Sequence, residues 1–251
     1  MSIRLKLILL ILLTLISIGV VLTLRPVAQD PAYHHFTDSR TIFGIPNFAN
    51  VISNFLFMVV GVQGLLVLSK SSASRRMSLI YAILFSGIFL TGLGSGHYHW
   101  HPDNDRLVYD RLPMTMVFMS LLAATIAEKI NEKAGAYFLF PLLAIGIFSV
   151  IWWHYTEGKG QGDLRLYGLV QFYPMILIPL ILLLFTETTA NKADLQLIWV
   201  VIWYGVAKLC EIFDKPIFSA LGFISGHPIK HIAAAIATLY LIKLFNSTLS
   251  N

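Results

Sequence analysis

The chain contains eight long runs of residues that carry no charge or almost none. The first two cover residues 7–24 and 41–69. The others cover 77–98, 112–127, 134–153, 166–186, 195–207 and 229–242. A helix that crosses a bilayer needs about 20 apolar residues, and the shorter runs reach that length if their helices are tilted or have buried polar ends. The pattern predicts one N-terminal membrane helix followed by a block of seven.

The composition excludes an ordinary soluble domain. Charged residues make up 12% of the chain and hydrophobic residues 57%, whereas about a quarter of the residues in a soluble domain are charged. Too few polar residues remain to cover a folded surface in water. The continuous apolar runs also differ from the alternation of a membrane barrel. We therefore expect an all-α polytopic membrane bundle, with a seven-helix core and one extra N-terminal transmembrane helix.

The basic residues predict the orientation of this bundle. Arg4 and Lys6 precede the first helix, so the N-terminus is expected in the cytoplasm. The same threading places further basic residues on that side: Lys70, Arg75, Arg76, Lys129, Lys133, Lys192 and Lys243. The opposite loops mix both signs of charge. The net charge of +5 is thus interpreted as membrane topology, in a plasma or inner membrane, and no nucleic-acid partner is predicted.

The N-terminal run could be either a signal peptide or an uncleaved anchor. It is long for a signal peptide, and no clear small-residue cleavage site precedes Gln29, which favours the anchor. The chain then divides into an anchor helix with an extracytoplasmic linker (1–40) and a seven-helix domain (41–251). Cys210 is the only cysteine, so no disulfide within the chain and no cysteine metal cluster is possible.

Polar residues gather at helix ends that this topology assigns to the extracytoplasmic side. The third helix ends with Ser95, His97, His99 and His101, and the fourth is expected to begin with Asp110 and Arg111. The last two helices contribute Lys208, Glu211, Asp214, Ser225, His227, Lys230 and His231. Charged groups inside a membrane are costly, so function or internal pairing is expected for them.

His227 and His231 have a spacing that suits a shared metal ion. They are four residues apart and lie on one helical face. A catalytic zinc site needs a third ligand, for which His99 is the candidate, with Ser95 one turn earlier. A polar helix end without metal is the alternative. His97 competes with His99 for the role, and His101 precedes Pro102 and is expected beyond the helix end.

Several neighbouring residues have structural interpretations. Asp110 could pair with Arg111, and Lys208 with Glu211 three residues later. The aromatic residues Trp152, Trp153 and Tyr155 are expected to anchor the membrane interface. His34 and His35 are expected to be solvated in a loop.

Three segments together resemble the alkaline ceramidase family, part of a wider group of seven-helix membrane hydrolases that includes the adiponectin receptors. They are 94–99 (GSGHYH), 110–114 (DRLPM) and 227–231 (HPIKH). The family pattern has a serine four residues before a histidine, an aspartate eleven residues after it, and a late HxxxH, which selects His99 over His97. Asn50, Ser53 and Asn54 resemble the family's Asn-x-x-Ser-Asn segment. The resemblance extends from about residue 45 to the C-terminus.

The resemblance implies a zinc ion held by His99, His227 and His231, with a fourth position open to water. It implies that Asp110 transfers protons and that Ser95 orients the water or donates a hydrogen bond to the developing oxyanion. The implied enzyme is a hydrolase of carbon–nitrogen bonds in linear amides. It would cleave a ceramide-like membrane lipid to a sphingoid base and a fatty acid, and no protein partner is predicted.

The chain departs from the eukaryotic members at their calcium site. Asn47 replaces the glutamate of that site, and the preceding segment has only Asp30 and Asp38. We therefore predict no calcium site. Arg111 also replaces an acidic residue, and the N-terminal helix is additional. These differences leave another lipid amide or ester open as the substrate.

Two other classes of function remain possible. The adiponectin-receptor branch suggests a metal-bearing receptor or scaffold without turnover. A transporter could use the intramembrane charges as an ion relay, but the inverted repeats expected of many transporters are not visible in the sequence.

Overall fold

The computed structural model describes residues 1–186 and 191–249. Within those residues the chain is almost entirely helical and contains no named β-strand. Eight helical segments are long and apolar enough to cross a membrane. They are α1 (Ile3–Thr23), the broken pair α2 (Phe48–Ser53) and α3 (Phe55–Ser69), α4 (Arg75–Trp100), α5 (Asn104–Lys129), α6 (Glu132–Gly158), α7 (Arg165–Phe185), α8 (Lys192–Ile212) and α10 (Gly226–Leu249). The predicted polytopic helical bundle is confirmed.

Polar caps extend the helices beyond the apolar runs. The Asp103 carboxylate accepts a hydrogen bond from the backbone N–H of Arg106 at 2.7 Å, so α5 begins at Asn104. Asp110 therefore lies in the second turn of α5, and the prediction that it begins this helix is wrong. The prediction from uncharged runs placed the start of this helix too late, because the N-cap and the first turn of a helix are usually polar. The short helix α9 (Asp214–Leu221) was not predicted either.

The N-terminal helix lies at the edge of the bundle. Among its residues only Leu10 is buried, and its contacts are mainly with α7. One of these contacts is a 2.7 Å hydrogen bond between the hydroxyls of Thr14 and Tyr173. By contrast, α4 and α5 pack extensively on each other, as do α8 and α10. The helix α1 is thus an addition to a seven-helix core.

Two glycines allow the backbones to approach closely at one end of this core. A Cβ at Gly94 on α4 would overlap the carbonyl oxygen of Tyr109 on α5. A Cβ at Gly226 would overlap the carbonyl oxygen of Cys210, where α10 begins beside the end of α8. The predicted site residues lie on three of these helices, α4, α5 and α10.

Candidate metal centre

Three histidines from two helices converge in the interior at this end. His99 comes from the last turn of α4, and His227 and His231 come from the first turns of α10. Each offers a ring nitrogen within 4.8 Å of the others, and all three side chains are buried. The centroids of the His99 ring and the His231 ring are 4.8 Å apart. The sequence alone could not establish this convergence, since 128 residues separate His99 from His227.

The hydrogen bonding of these imidazoles fits a metal ion. Among the described residues, Nδ1 of His99 and Nε2 of His227 are buried without a hydrogen-bond partner. A buried polar atom without a partner is costly. The Nδ1 of His231 lies 2.8 Å from the hydroxyl oxygen of Ser53, which leaves its Nε2 for a ligand bond. Three imidazoles are the donor set of a catalytic zinc site, so these residues could hold a metal ion.

The two histidines next to His99 in the sequence, His97 and His101, lie outside the cluster. His97 is exposed, and its ring contacts that of Tyr109 at a centroid distance of 5.6 Å. His101 is exposed and follows the last residue of α4, which confirms the prediction that it lies past the helix end. The geometry thus groups His99, and not its two neighbours, with the HxxxH pair.

Ser95 and Asp110 lie beside this cluster. Both side chains are buried. Together with His231 they line a cavity of about 290 Å³. A second cavity, lined mostly by apolar side chains, shares Phe57 and Met114 with the first and continues between the helices.

The predicted ion pair between Asp110 and Arg111 is wrong. Nη2 of Arg111 donates to Oε1 of Gln29 at 2.6 Å, and the guanidinium lies 4.1 Å from the ring centroid of Trp153. The two side chains diverge because consecutive helical residues point about 100° apart.

Trp153 was predicted to anchor the membrane interface, and that prediction is also wrong. Its side chain is fully buried, and its Nε1 donates to Glu157 at 3.2 Å. Tyr155 is exposed. Trp152 is half-buried and donates to Asp163 at 3.1 Å. A helical run of aromatic residues does not by itself reveal which member points inward, because neighbouring helices decide that.

The linker between α1 and α2 covers the cluster. The ring centroid of Phe36 lies 4.6 Å from that of His99 and 4.8 Å from that of His227. His34 was predicted to be solvated, but its ring nitrogens lie 3.0 Å from the Tyr98 hydroxyl and 3.0 Å from Oδ1 of Asn104. Sequence reasoning missed Phe36, since an aromatic residue in a loop has no spacing that would point to a site.

An ion pair holds the end of this linker in place. The Arg40 guanidinium donates to the Asp38 carboxylate at 2.7 Å and to the carbonyl oxygen of Phe223 at 2.6 Å. The hydrogen bonds from Arg40 hold the pKa of the Asp38 carboxyl below its usual value.

Two asparagines also bond to backbone carbonyl groups near the site. The side-chain amide of Asn50 donates to the Asp38 carbonyl oxygen at 3.1 Å. The side-chain amide of Asn47 donates to the His99 carbonyl oxygen at 2.9 Å, at the end of α4.

The charged residues of α8 form a network with α10. Lys208 pairs with Glu211, as predicted, and Lys230 donates to the same carboxylate at 2.6 Å. Asp214, just past α8, accepts a hydrogen bond from the backbone N–H of His227 at 2.7 Å. These contacts fix the start of the helix that carries the histidine pair.

Comparison with known proteins agrees with this arrangement. A family model described as Ceramidase matches residues 40–250. A search of curated proteins found no match. The matched segment includes the histidine cluster, Ser95 and Asp110. The chain therefore belongs to the ceramidase family, whose members are membrane hydrolases that cleave the amide bond of ceramide.

Proposed function

We propose that this protein is a zinc-dependent intramembrane hydrolase that cleaves the amide bond of ceramide-like lipids. The observation that carries the proposal is a cluster of three buried imidazoles beside a cavity that a buried carboxylate also lines. Two of these imidazoles have a buried ring nitrogen without a hydrogen-bond partner among the described residues. The proposed ligands are His99, His227 and His231. The proposed proton-transfer residue is Asp110, with Ser95 as its hydrogen-bonding neighbour.

Zinc is proposed because of the chemistry of the donors. Three neutral imidazoles with an open position suit zinc better than the hard cations, which prefer oxygen. When bound, zinc supplies Lewis acidity that polarises a carbonyl and makes water more acidic. The ring of Phe36 packs on two of the imidazoles and limits access of bulk water to them.

Asp110 is proposed to move the protons of the reaction. Its carboxylate takes a proton from the attacking water and later gives one to the departing amine, since an amine does not leave readily as an anion. The Ser95 hydroxyl is proposed to donate to that carboxylate and thereby to orient it. During turnover this hydroxyl can instead stabilise negative charge on the carbonyl oxygen. Both residues line the same cavity as His231, which supports these roles.

The acyl chain is proposed to occupy the second cavity. Its lining includes Phe57, Ile88, Met114, Phe118 and Leu241, and it adjoins the cavity of the candidate site. The apolar lining offers a hydrocarbon chain packing contacts in place of those that it makes with neighbouring lipid tails. The scissile amide of the lipid would then lie near the histidines. The polar head group would lie on the side of the amide opposite to the acyl chain.

We further propose that the N-terminus is cytoplasmic and that the site faces the extracytoplasmic side of a plasma or inner membrane. The basic residues at the other end of the helices support this orientation. A division into an anchor with its linker (1–40) and a seven-helix domain (41–251) is part of the proposal.

No calcium site is proposed. The side-chain amide of Asn47 donates a hydrogen bond to a backbone carbonyl, and the Asp38 carboxylate is occupied by Arg40. Calcium prefers several carboxylate or carbonyl oxygens. These contacts leave few such groups available near the linker.

The test is direct detection of products. Purified protein with zinc is incubated with ceramide in mixed micelles, and the sphingoid base and fatty acid are measured by mass spectrometry. We expect stoichiometric release of both. If no product forms from a panel of ceramides and other lipid amides and esters, while zinc is bound, the enzyme proposal fails in favour of a receptor or scaffold.

A further inference from the structure

Arg111 is a buried cation for which no carboxylate partner exists among the described residues. Arg111 is buried, with 5% relative exposure, and it lines the cavity of the candidate site. Its Nη2 donates to the neutral amide of Gln29, and Nη1 has no hydrogen-bond partner in the described part of the chain. A guanidinium remains charged in proteins. A buried charge without an ionic partner is costly.

Aromatic rings support this cation but do not neutralise it. The guanidinium carbon lies 4.1 Å from the ring centroid of Trp153 and 4.6 Å from that of Tyr167. The ring of Tyr33, from the linker, is 5.8 Å away. Such cation–π contacts hold a guanidinium in a defined place. The guanidinium of Arg111 is thus held in position, and its Nη1 is free to donate to a ligand.

The other charges of the cavity do not compensate for it. Lys208 and Lys230 share the single carboxylate of Glu211. Asp110 is the remaining carboxylate that lines the cavity. The lining therefore has three cationic side chains and two carboxylates, before any metal ion is counted. This excess of positive charge favours an anionic ligand.

We propose that Arg111 determines substrate specificity by binding an anionic group, a carboxylate or a phosphate, carried near the amide of the substrate lipid. The inference rests on the proposed function, because it assumes that the cavity binds a lipid amide. Arg111 directly follows Asp110, and both residues line the cavity. Because both side chains line one cavity of about 290 Å³, the proposal places the anionic group close to the scissile amide, on its amine side, while the acyl chain extends into the apolar cavity.

A neutral ceramide head group fits this site less well. Its hydroxyls could accept a hydrogen bond from Nη1, but they would leave the positive charge of Arg111 uncompensated. A carboxylate or phosphate accepts two parallel hydrogen bonds from a guanidinium, and such charged bonds are about twice as strong as neutral ones. A preference for an anionic lipid over its neutral analogue is the expected consequence.

The test compares two lipids that differ in this group alone. N-palmitoylserine carries a carboxylate next to the amide nitrogen, and N-palmitoylserinol has a hydroxymethyl group in its place. Dissociation constants are measured in neutral micelles with zinc present, in the Asp110→Asn background, so that binding is measured without turnover. We expect N-palmitoylserine to bind about ten- to a hundredfold more tightly, the usual scale for a charged hydrogen bond.

Adding Arg111→Gln should remove this preference. The matched control is Arg106→Gln, an arginine on the same helix that pairs with Asp103 at the surface and should leave the preference unchanged. Both lipids bind to the same folded fraction of the protein. The ratio of their two dissociation constants is therefore insensitive to partial loss of folding. If Arg111→Gln does not fold, Arg111→Met, whose apolar side chain can still contact the rings, gives the same comparison.

The inference is overturned if N-palmitoylserine binds no more tightly than N-palmitoylserinol and ceramide 1-phosphate no more tightly than ceramide. It is also overturned if the preference for the anionic lipid persists in the Arg111 variant. Ceramide 1-phosphate distinguishes the sources of the charge: Arg111-dependent binding of this lipid alone identifies a phosphate, and such binding of N-palmitoylserine alone identifies a carboxylate. The proposed function is tested separately, by hydrolysis of these lipids by the wild type. Absence of turnover would contradict that function and leave the binding comparison valid.

Discussion

The hydroxyl of Ser53 on α2 lies 2.8 Å from Nδ1 of His231 on α10. This contact joins the segment that breaks the second membrane span to the histidine pair of the last one. It fixes which nitrogen of His231 faces the other imidazoles. Partners of this kind orient metal-bound histidines and raise their affinity for the ion.

Ser53→Ala should therefore weaken zinc binding by about ten- to a hundredfold without abolishing it, the usual effect of losing such a partner. Competition with a chromophoric chelator measures the affinity. The matched control is Ser69→Ala, whose hydroxyl lies at the far end of the same span and donates to the Leu66 carbonyl oxygen of its own helix. An unchanged affinity in Ser53→Ala would contradict the orienting role.

His231→Ala should lose most of the bound zinc, because two imidazoles hold the ion far less tightly than three. Metal content per purified protein, measured by mass spectrometry, is expected to be about one zinc in the wild type. His101→Ala should keep it, since His101 is exposed past the end of α4. Equal zinc content in the wild type and the His231 variant would refute the ligand assignment.

Asp110→Asn should retain zinc and the fold but hydrolyse lipid amide at least about a hundredfold more slowly, the scale for losing a general base. The amide of asparagine keeps the shape of the side chain but cannot accept the proton. Asp105→Asn, an exposed position one and a half turns earlier on α5, serves as control and should retain activity. Wild-type turnover by a folded, zinc-loaded Asp110 variant would eliminate the proposed mechanism.

The orientation is tested by labelling introduced cysteines in intact cells with an impermeant thiol reagent. In a Cys210→Ser background, Lys159→Cys should react, because it is exposed in the loop at the end where the histidines lie. Ser72→Cys is exposed in the loop before α4, at the opposite end, and should not react. The reverse pattern would place the chemistry at the cytoplasmic side.

Asp163→Asn should lower the melting temperature of the purified protein at neutral pH. Hydrogen bonds from Arg165 lower the pKa of the Asp163 carboxyl from 3.8 to about 2. Because this pKa is lower in the folded state than in the unfolded state, the ionised carboxylate stabilises the folded protein at a pH above the unfolded-state pKa of about 4. This stabilisation disappears as the pH falls from about 4 through about 2. The effect is on the order of 1–2 kcal/mol. The measurement is thermal unfolding of wild type and variant between pH 7 and 3, where the difference should narrow as the pH falls; a constant difference would exclude the ionic origin.

The sequence alone determined the class of fold and most of the proposed site. Uncharged runs of membrane length allow few structures other than helices, since unpaired backbone groups are too costly in lipid. That constraint is local, so the eight spans could be predicted without knowledge of their packing. The resemblance to the ceramidase family, carried by the spacing of Ser95, His99 and Asp110 and by the later HxxxH pair, pointed to the same residues that the tertiary structure brings together.

Only the tertiary structure decided what surrounds those residues. Phe36 reaches the histidines from a linker without periodicity, and Trp153 turns inward to stack on Arg111. From the sequence, an ion pair with its neighbour Asp110 was one interpretation of Arg111, whereas in the fold it donates to Gln29 from the linker. The physical reason is that spacing along a helix defines which face a residue occupies, but its partner depends on the helix or loop that packs against that face. Such contacts join residues far apart in the chain, and no local pattern encodes them.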